Sequence, residues 1–454
     1  MSYDLIIVGG GPAGSMAAAT AGEIGLKTAL IERKTHPAKI YRICSTMFAI
    51  ESDWYIGERM YFNQDAKKFV FPENALTIDY DGPYAPFYTW WHLAPDGENT
   101  MSLGDYEKQK ALGPVKGRLS VAYSKGHLIN SLVEKSKRNG VEIHTSQNVI
   151  SARKEGEQVV VKTAEGKTFR APFVIAADGV NSRLAKNLGL NKDRQFYGTL
   201  ISIGLFLRGC NLPNDRFIWA THFGQQYNTT FAGIWLPMVF YDEHDPKGHQ
   251  FILGGLLDKR VDYVAEVEHF MRKSPFAKFF EKKVEIRYRL ACVENIWSPA
   301  RVPFRDNVLF AGDTVWTQEA EVTGSMLAGN KAAHAVTTAL RDKKLDREGV
   351  SSYIAWWKKS YPDAMDFRDY AEVFASYNIL KKEDFNYLIK KIDKPLPHSL
   401  NPFMLNQHMG KALAEKMDVI KTENPAFLQR MMQVRSQPLE VSCLPSARQG
   451  YPNR

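Results

Sequence analysis

An apolar run that breaks into spaced glycines opens this chain: residues 4–14 read Asp-Leu-Ile-Ile-Val-Gly-Gly-Gly-Pro-Ala-Gly. Leu5, Ile6, Ile7 and Val8 predict a buried strand, and Ala17, Ala18, Ala19 and Ala21 predict a helix of small residues behind it. Gly9 permits a tight strand-to-helix turn, Gly11 lets the backbone approach a pyrophosphate, and Gly14 lets the helix pack closely. Pro12 and Ala13 open the helix, whose free N–H groups favour negative charge. A second apolar strand, Thr28 to Ile31, runs into Glu32 and Arg33. Glu32 lies eighteen residues past Gly14, where a carboxylate can accept hydrogen bonds from a ribose diol. The unit predicts a bound dinucleotide. By itself it does not separate FAD from NAD.

Composition narrows the class further. A chain of 454 residues has room for two or three domains. No run of eighteen apolar residues occurs, so no transmembrane helix is expected. The first strand begins too soon after Met1 for a signal peptide, which makes a cytoplasmic location the expectation. Cys44, Cys210, Cys292 and Cys443 are scattered with no CxxC pair, so no metal, iron–sulfur or disulfide framework is expected. A net charge of +9 suits an anionic partner: a phosphorylated substrate, a membrane surface touched peripherally, or the cofactor alone. No basic run has nucleic-acid motif spacing, so nucleic acid is not an expected partner.

Along the chain, residues 46–104 look irregular and aromatic-rich, with Trp54, Tyr55, Trp90, Trp91 and His92. A helix from Lys125 to Asn139, a strand from Val141 to His144 and a hairpin (Gln158–Thr163, Thr168–Ala171) follow. Strand-like segments over 196–294 predict an antiparallel sheet, with one helix from Val261 to Phe270. Past residue 350 the chain reads as helical, with a tail from Ser436. Two apolar strands end in acidic turns like the first one. Val174 to Ala177 runs into Asp178-Gly179, and Val308 to Ala311 runs into Gly312-Asp313, with Thr323-Gly324 entering a long helix. An α/β sheet presents ligands at such carboxyl ends.

These three fingerprints resemble the FAD-dependent glutathione-reductase-like superfamily, in the branch of p-hydroxybenzoate hydroxylase and the geranylgeranyl reductases. The resemblance covers about residues 1–45 and 105–340. It implies that the glycine motif holds the FAD pyrophosphate and that Glu32 holds the adenosine ribose. It also puts Asp313 on the ribityl chain and Asp178 at the cofactor. The helix after Thr323-Gly324 then points its N-terminus at the pyrimidine side of the flavin. The implied fold class is α/β. A three-layer Rossmann-like FAD-binding domain (1–45, 105–190, 295–345) joins an antiparallel substrate domain (46–104, 191–294) and a helical C-terminal region with its tail (346–454).

Within that branch, Arg42-Ile43-Cys44 is similar to an Arg-Cys segment of the geranylgeranyl reductases that passes beside the flavin. Here Ile43 intervenes. Arg42 is then a flavin neighbour, and Cys44 either walls the active site or is a small buried hydrophobe. Gly233-Ile234-Trp235-Leu236-Pro237 resembles the segment that lines the family's prenyl pocket, without its Phe. Lys125 replaces an arginine common at that helix start, and Arg183 and Lys186 flank the place of another. Glu319-Ala320-Glu321-Val322 stands where a proline usually precedes the flavin-facing helix. Glu319 and Glu321 read as surface residues on a displaced loop or, with Cys44, as candidate proton donors. Trp316 follows the Gly-Asp pair and is expected to touch flavin or substrate. His127 and His222 have no visible partner and read as structural. Trp356-Trp357-Lys358-Lys359 is either a membrane-interface anchor or a packed helix end.

The expected function is FAD-dependent reduction of a carbon–carbon double bond in an apolar substrate. The alternatives are an oxygen-using hydroxylase and a flavoprotein electron carrier. A second glycine motif is missing, so an external donor, NAD(P)H or a redox protein, must supply the electrons.

Overall fold

The computed structural model describes all residues except 1, 48–50, 52–53, 55, 226–228, 317–320, 362–375, 377–378 and 437–454. Tyr55, Glu319 and the tail therefore lie outside the described residues, as does the side chain of Glu321.

The first strand, Leu5–Val8, sits in the middle of a six-stranded sheet. Its order is Glu142–His144, Thr28–Ile31, Leu5–Val8, Phe173–Ala176, Val308–Phe310 and Phe304–Arg305. The first five are parallel, and the last pairs antiparallel. All four residues of Leu5–Val8 and of Phe173–Ala176 are buried, as a parallel strand covered on both faces requires. Helices Pro12–Ile24 and Glu321–Arg341 cover one face. The three-stranded sheet Val149–Glu155, Gln158–Thr163 and Thr168–Ala171 covers the other. The parallel order brings all three acidic or glycine turns to one edge, since parallel strands end on the same side.

Small residues let the two covering helices touch. A Cβ on Gly329 would stand 2.0 Å from the Ala13 carbonyl oxygen, and one on Gly14 would stand 1.8 Å from the Gly9 oxygen. Gly14 thus makes room for the turn itself, a tighter constraint than packing on the sheet.

A seven-stranded sheet forms the second body, in the order Phe280–Trp297, Phe196–Cys210, Glu243–Leu256, Thr230–Phe240, Phe217–Phe223, Trp90–Leu93 and Thr100–Leu103. All its pairs are antiparallel except Phe217–Phe223 with Trp90–Leu93. Residues 46–104, which look irregular in sequence, carry six short strands here, two of them in this sheet. Alternation gives the sheet two faces. Leu205, Leu207, Ile218, Ala220, Trp235, Phe251 and Leu253 pack under helix Tyr263–Arg272. Phe206, Met238, Phe240, Ile252 and Cys292 lie with Ile43 on the opposite face. The same face packs farther along on C-terminal helices through Leu236, Leu388 and Phe427.

Trp235 accordingly points away from the face that carries Ile43, so it lines no pocket there, while Ile234 and Leu236 do face that way. Trp357 is fully buried and donates Nε1–H to the Ala300 carbonyl at 2.6 Å, which makes the Trp-Trp-Lys-Lys cluster a packed helix end. Among the described residues no helix is long and apolar enough to cross a membrane.

Gly329→Ala forces the two covering helices apart. A loss of about 1–3 kcal/mol is expected from such overpacking, read as a lower unfolding midpoint in denaturant.

Candidate active site

The glycine turn is shaped by one carboxylate. Glu32, nearly fully buried, accepts from the Gly10 N–H at 2.6 Å and from the Lys34 N–H at 2.7 Å. It therefore fixes the turn and keeps further lone pairs for a ligand. Gly9 has φ +99°, and a Cβ there would meet the Ala177 oxygen at 2.3 Å. Gly11 differs from its neighbours: nothing stands within 4 Å of where its Cβ would point. That open face at the start of helix Pro12–Ile24 is the cradle a pyrophosphate needs. Arg33 is exposed beyond Glu32.

The second and third turns are sewn together. Gly179 N–H donates to the Thr314 hydroxyl at 3.1 Å. Asp178 accepts from Ser182 Oγ at 2.6 Å and from the Leu184 N–H at 3.3 Å, so it organises its own turn and the short helix Arg183–Asn187. Burial pushes its carboxyl up. Arg183 and Lys186 are exposed. Arg194, which sequence reasoning missed, donates to the carbonyls of Thr314 at 3.1 Å, Val315 at 2.8 Å and Ser298 at 2.7 Å. Burial pulls its guanidinium down to about 9, so it stays charged at neutral pH. Asn181 ties the Asp178-Gly179 turn to the second sheet. Its amide donates to the Val293 carbonyl at 2.9 Å, and its oxygen accepts from the Asn295 N–H at 3.3 Å.

Asp313 is ringed by protein yet keeps some solvent access, and among the described residues its carboxylate accepts no hydrogen bond. Burial raises it, and Lys125 and Arg42 oppose that rise. Arg42 donates to Glu294 Oε1 at 3.0 Å. Glu294 is raised by burial and by Asp313, with Arg42 and Lys125 opposing. The structure thus collects Arg42, Lys125, Asp313 and Glu294 in one cleft. Glu294 escaped notice because it lies in a strand dense with charge, Phe280–Trp297. In the first turn of helix Glu321–Arg341, Thr323 Oγ1 is fully buried and has no hydrogen-bond partner among the described residues. The open face at Gly11 is what a flavin dinucleotide would fill.

Ile43 explains the altered Arg-Ile-Cys spacing. A Cβ on Gly204 would stand 2.2 Å from Ile43 Cγ1, so Gly204 is the socket for this side chain. The plug holds Arg42 on one side and Cys44 on the other. The Cys44 carbonyl accepts from the Gln250 amide, whose oxygen accepts from Thr46 Oγ1 at 3.1 Å. Cys44 is half-buried, and Cys292 beside it is pushed up to about 12, mainly by burial.

Trp316 is a correction. It is fully buried in the core of the first body, edge-on to Tyr361 with ring centroids 5.2 Å apart. The backbone turns inward after Asp313, so closeness in sequence did not mean closeness to the cleft. His127 and His222 do have partners, Asp242 at 3.0 Å and Glu266 at 2.8 Å.

Comparison with known proteins agrees with this geometry. Residues 4–37 match a family described as FAD dependent oxidoreductase, and residues 92–213 match one described as FAD binding domain. A digeranylgeranylglycerophospholipid reductase of Methanococcus vannielii is 24% identical over 390 residues, 83% of this chain and 88% of the relative. A rifampicin monooxygenase of Streptomyces venezuelae is 24% identical over 188 residues, 41% of this chain and 34% of that protein. A geranylgeranyl bacteriochlorophyll reductase-like structure from Thermoplasma acidophilum superposes with a TM-score of 0.68 at 14% identity, over 95% of this chain and 99% of that one. The protein is a flavoenzyme. It is an FAD-dependent oxidoreductase with an α/β Rossmann-type cofactor fold.

Two outcomes follow from the cleft. Gly204→Ala unseats Ile43 and costs about 1–3 kcal/mol, with a weaker flavin affinity measured by fluorescence titration. Glu294 has a folded pKa above its ordinary 4.5, so the folded state holds a proton that the unfolded chain releases. Stability therefore falls as pH rises from 4.5 through the raised value. Glu294→Gln removes that share, so chemical denaturation at successive pH values shows a shallower decline in the variant.

Proposed function

We propose that this enzyme reduces a carbon–carbon double bond of an apolar, prenyl-bearing substrate, as a member of the geranylgeranyl reductase branch of the glutathione-reductase-like flavoproteins. The length of the likeness carries the reading. The reductase relative aligns along 88% of its own length, and the monooxygenase along 34%. A reduced flavin supplies hydride to one carbon.

The chain's own residues bind and orient. Gly9, Gly11, Pro12, Ala13 and Gly14 take the pyrophosphate on the helix N-terminus, with Glu32 and Arg33 at the adenosine ribose. Asp313 accepts from the ribityl hydroxyls, and Asp178 with Gly312 holds the turns around it. Lys125 and Arg42 offset the charge of the cleft. The helix N-terminus at Thr323 and Gly324 would favour the negative charge that a bound flavin gains on reduction. The Ile43 plug and the apolar face behind it exclude water from the substrate side. The second carbon takes its proton from the Cys44 thiol. Electrons come from NAD(P)H or a redox protein, and the net charge of +9 supports peripheral contact with an anionic membrane that carries the lipid substrate.

The test is anaerobic. The bound flavin is reduced, and a prenyl lipid, oxygen or a quinone is added separately while flavin absorbance is followed. Reoxidation by the prenyl lipid without oxygen, with the double bond saturated by mass spectrometry, is the expected result. Turnover only with oxygen and a hydroxylated product overturns the reading, and so does reoxidation by quinone or a redox protein alone.

A further inference from the structure

Three potential metal ligands meet on the back of the seven-stranded sheet. His222 lies on strand Phe217–Phe223 and shares its face with Ile218 and Ala220, the face that packs under helix Tyr263–Arg272. Glu266 and His269 lie three residues apart on that helix, which puts both side chains on one side of it. One ligand atom from each of the three residues lies within 4.8 Å of the others. His222 Nε2 and Glu266 Oε1 are already 2.8 Å apart.

The chemistry of the cluster is that of a cation site. Glu266 is 3% exposed, and among the described residues no lysine or arginine pairs with it. The rings of Phe270, Phe231 and Phe276 surround His222 at centroid distances of 4.9, 6.0 and 6.1 Å, so the imidazole is walled by apolar side chains. Among the described residues, His269 Nδ1 is buried without a hydrogen-bond partner. The Gln225 N–H donates to the other oxygen, Glu266 Oε2, at 3.3 Å and orients the carboxylate from behind.

We propose that His222, Glu266 and His269 bind one divalent transition-metal ion of the zinc type, pinning helix Tyr263–Arg272 to the back of the substrate-side sheet. Two imidazoles and a carboxylate are a zinc donor set, with water in the fourth position. The ion takes the place of the direct His222–Glu266 contact. Tetrahedral bonds of about 2.0–2.1 Å place ligand atoms about 3.3 Å apart. The His222–Glu266 pair is close to that spacing, so closure falls mainly to His269, the most exposed of the three. Cysteine spacing gives no sign of this site, because its ligands are forty-four and three residues apart on a strand and a helix. The ion lies on the opposite face from Ile43 and Cys292. Its role is therefore to brace the sheet, independently of the reaction.

The flavin-loaded, chelator-treated enzyme is titrated with zinc against a chromophoric chelator, and its metal-edge X-ray absorption is recorded. One equivalent is expected, with a first shell of nitrogen and oxygen at about 2.0–2.1 Å. His269→Ala and Glu266→Gln should each weaken binding at least about 100-fold, the upper end of what losing an outer-shell partner alone costs. Zinc should raise the unfolding temperature of the wild type and of neither variant. Retained flavin absorbance shows that each variant is folded, and His269, at the edge of the cluster, is the milder change. Absence of stoichiometric binding by the folded wild type overturns the proposal and leaves a His–Glu ion pair. Unchanged affinity in both variants, or sulfur in the first shell at about 2.3 Å, moves the ion elsewhere and overturns it equally.

Discussion

The Thr314 hydroxyl joins the two turns on which the cofactor cleft depends. It accepts from the Gly179 N–H, while its residue's carbonyl is held by Arg194. The strands leading into the turns already lie side by side, Ala176 opposite Phe310, and this contact with a buried guanidinium carries their spacing past the strand ends. Burying Arg194 carries a desolvation cost, and bonds to three backbone carbonyls and the Asn191 side chain offset it. Once the turns are fixed, Asp313 has a defined position, and among the described residues no donor bonds its carboxylate. Asn181 then extends the same frame into the second sheet through Val293 and Asn295. The residues between and beside those contacts, Cys292 and Glu294, face the cleft because that strand is anchored there.

The second sheet divides labour by alternation. One face is closed by a helix and a dense aromatic cluster, and the other receives the Arg42–Cys44 segment. At Gly204 the missing side chain leaves room for Ile43, a second place where the two bodies join. An insertion relative to the family pattern thereby becomes an anchor, and it keeps Arg42 against Glu294.

The parallel sheet, the glycine turn, the hairpin and the long helices were legible because each has a strong local pattern. Phe280–Trp297 was not, because Lys282, Lys283, Glu285, Arg287 and Arg289 hide the alternation that pairs it with its neighbour. Residues 46–104 concealed six strands of three or four residues, too short to show a period. At the site, Gly9, Glu32 and Asp313 could be read from motifs. Arg194, Asn181 and Glu294 could not, since each acts on a partner far away in sequence. Trp316 misled because a turn reverses the chain just after Asp313, and the side chain falls into the core.

The interleaved strand order has a consequence for how the molecule comes into being. Leu5–Val8 lies between Thr28–Ile31 and Phe173–Ala176, and the last parallel strand, Val308–Phe310, arrives some three hundred residues after the first. A chain emerging from the ribosome carries its glycine turn long before Thr314 and Arg194 can meet. Closing so long a loop is slow, and the unfinished sheet edge stays open in the meantime. A cofactor that rests on both Gly11 and Asp313 thus meets its whole site only after the strand Val308–Phe310 and the turn behind it have been made.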